Sequence, residues 1–212
     1  MKKLISCLFV VALTVTVSAD LIISEVVDGT LSGGLPKAVE WSNTGSTTID
    51  LSDYKFAKYG NGGSSPSTAA LTGTMAPKSV ITFTYAGTSN EQTFKDVWGF
   101  DADVPLSICN GNGNDVYAIL DASDDSVIDV FGTIGSDTYY YQDSYGKRTN
   151  AQLTASSTYD SSEWYLPGNN TMDGFTAQQI SNAVPGMGYY EQIPEPAIFA
   201  ILGFIVLAFS RK

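Results

Sequence analysis

Ser79-Val80-Ile81-Thr82-Phe83-Thr84-Tyr85 is a run of β-branched and aromatic residues whose alternation puts Ile81, Phe83 and Tyr85 on one face and Val80, Thr82 and Thr84 on the other, the period of a β-strand. Working outward from it, runs of the same length recur at Leu21 to Val27, Lys37 to Ser42, Tyr54 to Tyr59, Asp115 to Asp121 and Ser126 to Phe131. Each is bounded by Gly, Asn, Asp, Ser or Pro, as tight turns require. Asn61-Gly62-Gly63-Ser64-Ser65-Pro66-Ser67 and Asn110-Gly111-Asn112-Gly113-Asn114 are loops. Repeated short strands with turn signals, and no sustained helical period between the two ends, predict an all-β domain of two packed sheets.

The ends read differently. Met1-Lys2-Lys3, an apolar stretch from Leu4 to Val17, and Val17-Ser18-Ala19 before Asp20 follow the order of charge, apolar core and small residues of a secretory signal peptide, with cleavage expected between Ala19 and Asp20. At the other end Ile193-Pro194-Glu195-Pro196 precedes the apolar run 197–209 and then Ser210-Arg211-Lys212. Thirteen residues span roughly 20 Å as a helix against a hydrocarbon core of ~30 Å, which suits a temporary membrane hold, with the basic end kept cytoplasmic. This order of motif, apolar segment and basic cluster resembles the PEP-CTERM sorting tail. The resemblance implies recognition of Pro194, Glu195 and Pro196 by an exosortase-type enzyme, cleavage near the motif, and delivery from the inner membrane to the cell surface or extracellular matrix of a Gram-negative bacterium. An ordinary tail anchor is the plainer alternative.

The remaining stretch, about 175 residues, suffices for one domain with its own core. It divides into a sandwich domain, 20–168, and a polar, irregular linker, 169–192, that contains Val184-Pro185-Gly186-Met187-Gly188 and leads to the tail at 193–212. Between Asp20 and Pro196 stand 22 acidic and seven basic residues, a net charge of −15. Such a surface repels phosphate backbones, so nucleic acid is not an expected partner. Once Cys7 leaves with the signal, Cys109 is the single cysteine; no intrachain disulfide can form, and it reads as a small buried hydrophobe.

The blocks Leu21 to Thr30, Lys37 to Asn43 with Ile49 to Tyr54, Leu71 to Lys78, Gly113 to Leu120 and Val127 to Gly132 together resemble the lamin tail domain. The resemblance covers most of residues 20–165, its last strand falling near Glu163-Trp164-Tyr165. It implies an immunoglobulin-like β-sandwich, a fold found in nuclear lamins and in many exported bacterial proteins, often beside hydrolase or nuclease domains.

Candidate chemistry is narrowed by the absence of histidine, which removes Ser-His-Asp and Cys-His nucleophiles and histidine metal sites. Paired carboxylates remain open to glycoside hydrolysis, and Glu25 and Glu40 are the candidates because both fall within strands; a strand glutamate bonded to neighbouring hydroxyl or backbone groups is the structural alternative. Asp121-Ala122-Ser123-Asp124-Asp125-Ser126 and Asn110 to Asp115 are oxygen-rich enough for calcium, yet neither has EF-hand spacing and Asx turns share their composition. Tyr139-Tyr140-Tyr141 with Tyr145 offers stacking faces for a sugar or a partner protein, or else covers a core from a strand. The expected function is therefore a non-catalytic surface or matrix module that binds polysaccharide or another surface protein without a cofactor; the alternative is a hydrolase that works with carboxylates alone.

Overall fold

The computed structural model describes residues 20–149 and 153–189. Its strands are β1 (Leu21–Leu31), β2 (Leu35–Asn43), β3 (Ile49–Asp50), β4 (Tyr54–Tyr59), β5 (Ser67–Ala70), β6 (Thr74–Met75), β7 (Val80–Tyr85), β8 (Val104–Leu106), β9 (Val116–Asp121), β10 (Val127–Phe131), β11 (Tyr145–Arg148) and β12 (Trp164–Tyr165), with helices α1 (Thr88–Trp98) and α2 (Ala177–Ala183). The six expected strand runs all fall on strands. One sheet has the order β12-β11-β1-β2-β7-β8, the other β10-β9-β4-β5, and β3 pairs with β6 alone. Pairing is antiparallel throughout these sheets except between β7 and β8.

Alternation in the strands supplies the core between the sheets. Ile23, Val26, Val39, Trp41 and Phe83 from the larger sheet meet Phe56, Tyr117, Ile119 and Phe131 from the smaller. The Trp41 ring stacks on Phe56 at 5.6 Å and tilts against Phe83 at 4.8 Å, so one indole joins both layers; large aromatic surfaces dominate such a core. The arrangement is consistent with an immunoglobulin-like sandwich.

Two expectations are corrected. The stretch between the ends is not free of helix. In α1 only Phe94 and Val97 are buried, with Trp98 packed beside them; two buried positions in eleven residues give almost no periodic signal. The helix stops where Gly99, at φ +82°, sends its N–H back to the Lys95 carbonyl, a left-handed C-terminal cap. In α2 the Thr176 hydroxyl accepts from the Gln179 N–H and the Gln179 side chain accepts from the Thr176 N–H, a reciprocal capping box that the sequence Thr-x-x-Gln does advertise.

The expected linker is the second correction. Its described part, 169–189, folds back over the outer face of the larger sheet, and Met172, Ile180, Val184 and Met187 are fully buried there against Val27, Ala38, Tyr145, Phe94 and Val97. The polar composition hid four apolar anchors spaced too irregularly to read as an element, so the domain continues past 168 to Gly188. In β7 Thr82 and Thr84 are as inaccessible as Phe83, with Asp103 accepting from both the N–H and the hydroxyl of Thr82.

Candidate functional site

Strand register assembles a line of polar side chains across the outer face of the larger sheet. Tyr165 lies opposite Lys147, Lys147 opposite Glu25, Glu25 opposite Glu40, and Glu40 opposite Thr82. Register partners in a sheet share a face and stand ≈ 4.5–5.5 Å apart at Cβ, so the two glutamates that the sequence singled out are direct neighbours. A register shift between Ile23 and Glu25 turns Glu25 to the same side as Val27, away from Ile23 and the inter-sheet core.

Both glutamates are only 2% exposed. Glu40 Oε1 accepts the Ser24 hydroxyl at 2.6 Å, and Oε2 accepts the Gly188 N–H at 2.6 Å. Ser42 donates to Ser24 at 2.9 Å, and Lys147 Nζ stands 3.4 Å from Glu25 Oε1. Burial, and then the charge of Glu25, hold the Glu40 carboxyl well above its usual range, against the bonds from Ser24 and Gly188 and the pull of Lys147. Two carboxyls, one ammonium and a serine pair thus meet on the outer face of the sheet. Glycoside hydrolysis needs carboxyls that flank a bound sugar, and in this conformation the Gly188 segment lies over the pair.

A second buried cluster was missed by the sequence reading. Arg148 Nη2 donates to both oxygens of Asp129 at 2.9 and 2.7 Å, Nε donates to the Ile23 carbonyl at 2.9 Å, and Nη1 reaches Glu163 at 3.2 Å. The guanidinium also lies 4.8 Å from the Trp164 ring centroid. Asp129 accepts in addition from the Ile23 N–H at 2.8 Å and the Ser156 N–H at 2.9 Å. This knot ties β10 of one sheet to β1 and β11 of the other. A lone aspartate inside the apolar run Val127 to Phe131 was its only signal.

Burial outweighs the arginine at Asp129 and pushes its carboxyl up to about 6; burial also raises Asp28, beside Lys37. A raised carboxyl binds more protons in the folded than in the unfolded chain, so its contribution is complete below the unfolded value of ~4 and is lost as pH climbs through the folded value. For Asp129 that window runs from ~4 to about 6. Asp50, Asp121 and Asp160 are lowered by bonds from Ser52, Ser123 and Ser162, and act the opposite way only below that window. The melting temperature is therefore expected to fall between pH 5 and pH 8, which thermal unfolding across that span checks; a rise over it contradicts the assignment.

The calcium candidates are occupied by the chain's own donors. Asp121 Oδ1 accepts from the Ser123 N–H and hydroxyl at 2.7 and 2.6 Å, Asp124 accepts from the Ser126 N–H at 2.9 Å, and Asp125 pairs with Lys55 at 2.7 Å. In the loop 110–115 Lys58 Nζ sits 2.6 Å from Asn110 Oδ1 and 3.5 Å from Asp115 Oδ2, an ammonium among the oxygens that a cation would need. Among the described residues no three acidic or cysteine side chains converge as metal ligands. Cys109 is buried, its thiol pushed up to about 12 by burial, far from a reactive thiolate.

The four tyrosines do not form one platform. Residues 139–141 lie in a loop before β11 rather than in a strand. Tyr139 is exposed, Tyr140 packs on Phe131 and Tyr159, Tyr141 is buried with its hydroxyl donating to the Asp115 carbonyl at 3.2 Å, and Tyr145 is buried in β11 beside Tyr165. Of the expected processing residues Asp20 is described, its carbonyl accepting the Thr44 N–H at 2.9 Å. Ala19, Pro194, Glu195, Pro196, the signal segment 1–19 and the apolar run 197–209 lie outside the described residues. Among those described no helix is long and apolar enough to cross a membrane.

In comparisons with known proteins, a family model described as Lamin Tail Domain matches residues 14–135, a span that takes in β1 to β10. No curated protein matches the chain.

Proposed function

The chain belongs to the lamin tail domain family, and from that premise we propose that it is an exported, exosortase-processed surface or extracellular-matrix module that binds polysaccharide or another surface protein and carries out no catalysis. The observation that supports this reading best is the fit of the folded body between the two expected processing points. β1 begins at Leu21, just past Asp20 and the expected signal cut, and Met187, the last buried apolar side chain among the described residues, stands just ahead of Pro194. Every strand and both helices among the described residues lie between these two points. The protein is then held in the inner membrane only until the tail is cut, and passes to the cell surface or matrix of a Gram-negative cell.

Glu195→Ala, or alanine at both Pro194 and Pro196, is expected to leave an unprocessed, membrane-retained form, because two prolines without N–H groups keep the motif out of a helix and open to a processing enzyme. Mass spectrometry of the protein from its own host reads the outcome: a mature chain beginning at Asp20 and lacking Lys212 agrees, whereas an intact C-terminus makes the segment a plain anchor. A glycan array probed with residues 20–192 tests the ligand class. No cofactor is required in this reading, and a chelator is expected to leave the melting temperature unchanged; a drop of several degrees would assign calcium a structural role.

A further inference from the structure

We propose that Lys58 and Asn110 join in an intramolecular isopeptide bond, with Asp115 moving the protons, so that the folded domain staples itself without a disulfide. Lys58 Nζ stands 2.6 Å from Asn110 Oδ1 and 3.5 Å from Asp115 Oδ2. Lys58 belongs to β4, Asn110 to the loop that leads into β9, and Asp115 is the residue just before that strand. With a carbonyl bond of about 1.2 Å, the nitrogen lies within about 3–4 Å of Asn110 Cγ, a separation from which held groups react. Asp115 is fixed from its other side, where Oδ1 accepts the Asn61 N–H at 2.9 Å.

The setting favours the reaction. Lys58 lies on the same face of β4 as Phe56 and directly opposite Tyr117 of β9, and both rings belong to the core between the sheets. Its side chain is 16% exposed and that of Asp115 only 3%, so the amine and the carboxyl meet where little water reaches. Asn110 is exposed, and a nitrogen released from it passes to solvent. A plain ion pair would account for Lys58 and Asp115 alone. It does not call for a carboxamide oxygen closer to the ammonium than the carboxylate itself.

Asp115 first takes one proton from the Lys58 ammonium and so frees the lone pair of Nζ. The Nζ–Cγ bond forms, the Cγ–Nδ2 bond breaks, and a second Nζ proton, relayed through Asp115, leaves with Nδ2 as ammonia. Lys58 and Asn110 end as one neutral amide, and Asp115 keeps the first proton as an uncharged acid, so no unpaired charge stays in the site. No oxidant, metal or second protein takes part. The backbone has a competing reaction, attack of the Gly111 nitrogen on the same Cγ, but the Gly111 N–H is held by the Tyr117 hydroxyl at 2.7 Å. The new bond ties β4 to the approach of β9 across 52 residues, and a link of that span restricts the unfolded chain as a disulfide does.

Mass spectrometry of the full-length chain, intact and after denaturation and digestion, tests the bond. The wild type is expected to be lighter than its sequence by one ammonia and to yield a branched peptide that contains both Lys58 and Asn110. Lys58→Arg keeps a cation beside Asp115 but lacks the nucleophilic amine, so it should have the full mass of its sequence and melt several degrees lower. Asp115→Asn keeps an oxygen for the Asn61 N–H and should also leave Lys58 and Asn110 unjoined. A wild type of full mass with a free Lys58 amine overturns the proposal. So does an ammonia loss that persists in Lys58→Arg, which would place the reaction in the Asn110-Gly111 backbone, and a branched peptide that forms undiminished in Asp115→Asn removes that residue from the mechanism.

Discussion

A chain ended at Gly168 is expected to lose its cooperative unfolding transition. The truncation removes Met172, Ile180, Val184 and Met187, all fully buried, and full burial of each such side chain contributes about 1.5–3 kcal/mol. Their sum, roughly 6–12 kcal/mol, is as large as the whole stability of an ordinary domain, about 5–15 kcal/mol. It would also bare Val27, Ala38, Phe94 and Val97 and strip the Asp28 and Asp143 region of the Met172 N–H that donates to the Asp143 carbonyl at 2.9 Å. Residues 20–168 should therefore give strand-rich circular dichroism without a sharp melt and should bind an apolar dye, whereas 20–189 melts cooperatively. Equal melting temperatures for the two would return the segment to the status of a linker.

Arg148→Ala is the single substitution with the largest expected effect, a loss of about 3–5 kcal/mol, because removing one partner of a buried ion pair leaves the other uncompensated. Here the abandoned group is Asp129, fully buried, and the Ile23 carbonyl loses the Nε bond as well. At roughly 2–4 °C per kcal/mol for a chain of this size, the melting temperature should drop by about 6–20 °C. Arg148→Lys should recover little, since an ammonium cannot grip both Asp129 oxygens while donating to Ile23. Replacing both partners, Asp129→Asn with Arg148→Met, should cost less than Arg148→Ala alone, which denaturant melts of the three variants decide.

What the sequence made legible was local. Val80 to Tyr85 and Tyr54 to Tyr59 carry their own strand pattern, and the Gly- and Asn-rich stretches between runs carry their own turns, so the sandwich could be read without knowing which strand met which. β11 could not be read that way: Tyr145-Gly146-Lys147-Arg148 has no alternation and becomes a strand because β1 offers a partner across more than a hundred residues. The same distance hid the site. Glu25 and Glu40 were each recognisable as odd residues in strands, but their facing one another depends on the shifted register at Ser24, and Arg148 meeting Asp129 depends on how the two sheets close. Helix α1 was hidden for another reason, since a surface helix held by two buried residues needs no apolar stripe.

The place of β1 in the larger sheet has a consequence in time. It is the first strand of the body to be made, yet it stands between β2 and β11, donates its Ile23 N–H to the Asp129 carboxylate, and has Thr30 donating to the Met172 carbonyl at 2.6 Å. One neighbour, β2, follows at once, but β11 and the Met172 segment arrive more than a hundred residues later. Closing loops of that length before their contacts form makes folding slow, so a growing chain has a long interval in which β1 and β2 exist as an incomplete hairpin with both faces bare. A nascent chain of this kind stays threadable until almost its final residues have emerged, and it is then most vulnerable to mispairing. Chaperone dependence should be greatest in that interval, and the closing step of folding is the arrival of the C-terminal cover.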